Sequence, residues 1–114
     1  MWQGFNRRQF PRANFPCDII IYKKGAHEKI SGRTENIGLG GVCVLTARDL
    51  DKMSLVDLSI FLEKDKPPIE CEARVMWVVK HKDKFDIGME FLNLEKKDAL
   101  KIEGVVQECL KKEA

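Results

Sequence analysis

The residues best equipped for chemistry are three arginines crowded into six positions, RRQFPR, residues 7 to 12. The chain has only six arginines, and its first acid is Asp18, so no carboxylate stands beside the cluster to neutralise it. A guanidinium is a permanently charged planar fork of donors. It is suited to binding an anionic group from outside. Arg8 and Arg12 stand four apart in a stretch without periodicity, and Pro11 restricts that stretch. Arg7 adds a third guanidinium. A basic arm can be no more than a solubilising tail, but these residue types at this spacing also describe an anion clamp.

A second constellation is ENIGLGG, residues 35 to 41, where Gly38, Gly40 and Gly41 crowd the junction of two expected strands. Glycines there permit positive φ and let another molecule approach the backbone closely. Asn36 offers an amide donor and acceptor without the charge of an aspartate. By itself the stretch is also what a strongly bent hairpin requires.

Little else is suited to chemistry. His27 and His81 are isolated, with no His or Cys partner at ligand spacing. Ser31, Ser54 and Ser59 lie in no nucleophile-elbow context, and GLGG fails the GxGxxG pattern at Cys43 with no Gly-Lys-Ser/Thr following. Cys17, Cys43, Cys71 and Cys109 never form a CxxC pair and are expected to be reduced thiols used as small apolar residues. No catalytic residue, metal site or cofactor is expected, and the chain is not read as an enzyme.

These residues need a scaffold, and the hydrophobic pattern supplies one. Residues 1–16 are expected to be a flexible arm, followed by a single domain over 17–114. Short β runs are expected at Cys17–Lys24, Glu28–Glu35, Val42–Thr46 and Leu55–Leu62. Cys71, Ala73, Val75, Trp77 and Val79 alternate with polar residues, as do Phe85, Ile87, Met89 and Phe91, which predicts a hairpin with one buried face and places Trp77 in the core. From Glu95 the period changes: Ala99, Ile102, Val106 and Cys109 predict an amphipathic helix. Six strands and a terminal helix suggest a mostly β fold, an antiparallel barrel or sandwich with the helix packed on it, the barrel being favoured because closure removes exposed edges. Twenty basic against eighteen acidic side chains leave a formal charge of +2, too balanced for a protein that coats nucleic acid. With no apolar run of membrane-spanning length and no signal-peptide layout, membrane insertion is not expected and a cytoplasmic location is.

Taken together, the motifs and strand order resemble the PilZ domain, a bacterial receptor module for cyclic di-GMP. The resemblance runs from about Arg7 to the end of the chain. Arg8-Gln-Phe-Pro-Arg12 is similar to the family's RxxxR motif ahead of its first barrel strand. Asn36-Ile-Gly38-Leu-Gly-Gly41 aligns with its Asp/Asn-x-Ser/Ala-x-x-Gly motif, with Gly38 where the family has Ser or Ala. ARVMWV and DIGMEF resemble its fifth and sixth strands. The resemblance implies a six-stranded antiparallel PilZ-type barrel with a C-terminal helix. It also implies a cyclic di-GMP site formed by Arg7, Arg8, Arg12, Asn36, Gly38 and Gly41, and output through an effector protein in motility, pilus or exopolysaccharide machinery. The residue before RxxxR, here Arg7, is implied to influence whether one ligand or an intercalated pair binds, and serine at position 38 is expected to keep or improve affinity. Two other readings compete: a PilZ-fold adaptor that binds no nucleotide, and a small barrel that binds single-stranded nucleic acid. The latter needs aromatic platforms on an exposed strand face.

Overall fold

The computed structural model describes residues 11–25 and 27–113. Its strands are β1 (Arg12–Ala13), β2 (Asp18–Lys23), β3 (Lys29–Gly38), β4 (Gly41–Thr46), β5 (Leu55–Phe61), β6 (Ile69–His81) and β7 (Lys84–Asn93), and one helix, α1 (Lys96–Glu113), follows. All pairings are antiparallel, in the order β1-β3-β2-β5-β6-β7-β4, and β3 also pairs with β4. That last pairing closes six strands into a barrel, and β1 lies on β3 as a short addition. The expected barrel with a terminal helix is the observed one.

Closure follows from the pleat. Ile19 and Ile21 of β2, Val42 and Val44 of β4, Val56, Leu58 and Ile60 of β5, and Ile87 and Met89 of β7 all turn inward and are buried. Burying one such side chain is worth about 1.5–3 kcal/mol, so a slip of one residue in any of these strands would be costly. Helix α1 adds Ile102 and Val106 to the same core and packs against β1 and β3. Asp98, in the first turn of α1, is 5 % exposed and sits where a helix favours negative charge.

Three expectations change. First, residues 11–16 are not a free arm. Ala13 is buried and Phe15 packs on the core. Thr34 of β3 ties this stretch down, accepting a hydrogen bond from Cys17 N at 2.8 Å while its own hydroxyl donates to Phe15 O at 2.6 Å.

Second, β3 does not end at Glu35. A bulge between Thr34 and Asn36 makes Glu35 an extra residue, after which Asn36↔Cys43 and Ile37↔Val42 continue the ladder with β4. Asn36, Gly38 and Gly41 are therefore strand residues, and only Leu39 and Gly40 make the turn. Positive φ among the described glycines occurs at Gly25 alone, so close backbone approach, not a left-handed turn, accounts for Gly38 and Gly41.

Third, the alternation in β6 breaks at a second bulge between Val75 and Trp77. Met76 is the extra residue, Val78 takes the inward place opposite Ile87, and Val79 becomes 52 % exposed. Trp77 leaves the core side for the outside of the barrel. A period-2 pattern across a bulge points half its residues the wrong way.

Candidate functional site

The β1–β3 ladder places Arg12 opposite Gly38 and Ala13 opposite Ile37. Pairing between strands thus joins two motifs about 24 residues apart in the chain, RxxxR and the asparagine–glycine stretch. From Asn36 a row of outward positions crosses four strands: Asn36 on β3 faces Cys43 on β4, Cys43 faces Gly88 on β7, and Gly88 faces Trp77 on β6. On either side the inward positions Val42, Val44, Ile87 and Met89 are fully buried, which fixes the row on the outside.

Each glycine of this face makes room for something specific. At Gly38 a Cβ would stand 2.5 Å from Pro11 O and 2.8 Å from Arg12 Cγ, so the bare backbone is what lets β1 lie down. At Gly41 a Cβ would run into the carbonyl oxygen of Met89, with Met89 C at 3.1 Å and Glu90 Cα at 3.2 Å. Gly88 lies directly under the Trp77 indole, whose Cζ2 would be 2.6 Å from an added Cβ. Glycine at 38 and 41 is thus required by the protein's own packing, whatever else approaches it.

The polar groups of the face are incompletely satisfied. Asn36 Oδ1 and Asp86 Oδ1 are buried and accept no hydrogen bond among the described residues. A buried acceptor left so costs about 1–3 kcal/mol, which a ligand donor can recover. Cys43 donates its thiol hydrogen to Glu35 Oε1 at 3.4 Å. Burial, and then the negative charge of Glu35, push the Cys43 thiol up to about 12, so it is no nucleophile near neutral pH. Burial first, and then contact with Asp86, raise the Glu35 carboxyl above its ordinary value, although one flank of the residue stays exposed. Arg12 is half-buried and close enough to Cys43 for its charge to oppose that rise.

Of the residues expected from the sequence, Arg12, Asn36, Gly38 and Gly41 come together at one end of β3 and β4, while Arg7 and Arg8 lie outside the described residues. Trp77, Glu35 and Asp86 are the face's additions. Asp86 falls at an outward position of the regular alternation in β7, whereas nothing in the hydrophobic pattern signals Trp77 or Glu35, because the bulges that place them interrupt it.

Serine at position 38 is therefore not the neutral restoration it looks like in the sequence. Gly38→Ser is expected to push Pro11 and Arg12 off β3, lowering the melting temperature. An unchanged melting temperature would show that β1 accommodates the side chain.

The architecture is a closed six-stranded antiparallel barrel with an arginine-bearing strand laid against an asparagine–glycine edge. The PilZ domain family model matches residues 6–108, and the chain belongs to that family. Solved structures share the fold. The chain is similar to the Bacillus subtilis inhibitor of motility MotI/DgrA at 24% identity and a TM-score of 0.76, covering 95% of this chain and 52% of that one. It is similar to the PilZ domain of YcgR from Escherichia coli, solved with cyclic di-GMP, at 14% identity and a TM-score of 0.74, covering 94% of each chain. The MrkH–cyclic di-GMP complex of K. pneumonia aligns at 16% identity and a TM-score of 0.74, over 94% of this chain and 54% of that one. The chain thus spans about half the length of MotI and of MrkH. No curated protein sequence matches it.

Proposed function

We propose that this PilZ domain is a cyclic di-GMP receptor that binds the nucleotide through Arg7, Arg8, Arg12, Asn36, Gly38 and Gly41 and passes the signal to a partner protein. The observation that carries the reading is the Arg12↔Gly38 pairing, which brings the arginine of β1 to the end of the strand that carries the buried, unpartnered Asn36 acceptor. The neighbours solved with cyclic di-GMP support the choice of ligand.

The chemistry divides naturally. The ligand's phosphodiesters only accept hydrogen bonds, and arginines only donate them; the guanine N1–H and 2-amino group donate, and Asn36 Oδ1 accepts. Trp77 offers an aromatic face on the same side of the barrel. The segment ahead of β1, carrying Arg7 and Arg8, closes over the nucleotide and alters the surface offered to an effector in the cytoplasm. The activity is recognition, with no reaction catalysed. An adaptor role without nucleotide is disfavoured by the arginine pair. A single-stranded nucleic acid reading has Trp77 and the 38 % exposed Tyr22 as platforms, but these sit on β6 and β2, separated in the sheet by β5.

Calorimetric titration with cyclic di-GMP, with GTP and a short oligonucleotide as controls, tests the reading. Binding of cyclic di-GMP alone is expected, at two molecules per chain, because Arg7 helps to neutralise the four charges of a stacked pair. Arg7→Leu is expected to move the ratio toward one. Absence of heat at high cyclic di-GMP would sink the proposal, and a ratio of one for the unmodified chain would remove the role given to Arg7.

A further inference from the structure

Two carboxyl groups share the outer face with Asn36, and as carboxylates neither can satisfy the other. Glu35 is the extra residue of the β3 bulge and Asp86 is an outward residue of β7, with β4 between their strands. Cys43 of β4 gives its thiol hydrogen to Glu35 Oε1 at 3.4 Å. Asp86 Oδ1 is buried and has no described donor. The side chain it meets is that of Glu35. Two carboxylates in contact present acceptors and no hydrogen, so one added proton turns a repulsion into a hydrogen bond. That proton belongs to the pair and not to one residue.

We propose that Glu35 and Asp86 form a proton-binding site coupled to the nucleotide face, so that binding of a dianionic nucleotide draws one proton into the pair. The inference rests on the cyclic di-GMP reading above, and neither acid belongs to the residues assigned to ligand there. An anion brought to this face is repelled by the ionised pair and much less by the singly protonated one. Binding therefore favours the protonated form, and protonation favours binding, by the same factor.

The surrounding charges leave the pair as the group that responds. Cys43, held up to about 12, keeps its hydrogen throughout the neutral range. The Arg12 guanidinium on β1 lies close enough to Cys43 for its charge to oppose the rise of that thiol. On β3 itself, Arg33 is engaged with Asp18 at 2.8 Å. His81, at the end of β6, lies near enough for a positive charge on it to work against protonation of Glu35. The sign is fixed: affinity rises as pH falls through the pair's titration and levels off at both ends. The slope of log affinity against pH equals the protons taken up, at most about tenfold per pH unit for one proton.

The test is calorimetry of the full chain with cyclic di-GMP between about pH 5.5 and 8, each point in two buffers of different ionisation heat. The unmodified chain should take up a fraction of a proton approaching one and bind at least about threefold tighter at the acid end. Glu35→Gln and, separately, Asp86→Asn should abolish the uptake and flatten the profile; both are isosteric, and melting curves verify that they fold. Binding without proton uptake in the unmodified chain overturns the coupling while leaving the nucleotide reading intact. Uptake that persists unchanged in both variants also overturns it. No heat at any pH overturns the nucleotide reading and the coupling together.

Discussion

Replacing Gly41 by alanine is expected to lower the melting temperature of the ligand-free protein by about 10 °C, the largest effect of any single methyl on this face. The added carbon would meet the carbonyl oxygen of Met89, a backbone atom at the first pairs of the β4–β7 ladder that has no rotamer to adopt. Relief requires the strands to part, and overpacking of this kind costs about 1–3 kcal/mol, several degrees for each in a domain of this size. The neighbouring hydrogen bond, in which Phe91 N donates to Gly40 O at 3.0 Å, would be strained by the same movement. Thermal denaturation without nucleotide is the decisive measurement, because it separates a packing role from a ligand-contact role. If Gly41→Ala melts like the parent yet binds cyclic di-GMP poorly, the glycine serves the ligand and not the barrel.

Arg12→Ala is expected to act the other way round, weakening cyclic di-GMP at least about tenfold while moving stability by less than about 1 kcal/mol. Charge-assisted hydrogen bonds contribute about 1.5–3 kcal/mol each, and alanine retains the backbone that β1 uses to pair with Gly38. The small loss of stability comes from the stem of the side chain, whose Cγ lies close over Gly38. Anchorage of the segment itself rests elsewhere, on buried Ala13 and on the Thr34 bonds to residues 15 and 17. The same substitution at Arg8 should weaken binding comparably. Titration and melting of each variant check this; a variant that binds as tightly as the parent removes that arginine from the site.

The barrel and its helix were legible in the residues because each is the consequence of a repeating pattern. Apolar residues at every second position of β2, β4, β5 and β7 have one low-energy way to hide, and the switch to a 3.6-residue period after Glu95 has another. The arginine cluster and the asparagine–glycine stretch were legible for a different reason: their composition is unusual wherever the fold places it. What pattern could not disclose is where the pattern fails. The bulges at Glu35 and Met76 each add one residue to one strand, which costs the sequence nothing visible and reverses every side chain beyond it. Those reversals bring Trp77 out of the core and seat Glu35 beside Asp86. The meeting of Arg12 with Gly38 is likewise a tertiary fact, since a two-residue strand has no periodicity to detect and forms only because β3 runs on past its bulge to receive it. Glycine at 38 shows the division at a single residue: in the sequence it is a missing hydroxyl, and in the fold it is the space in which Pro11 and Arg12 lie.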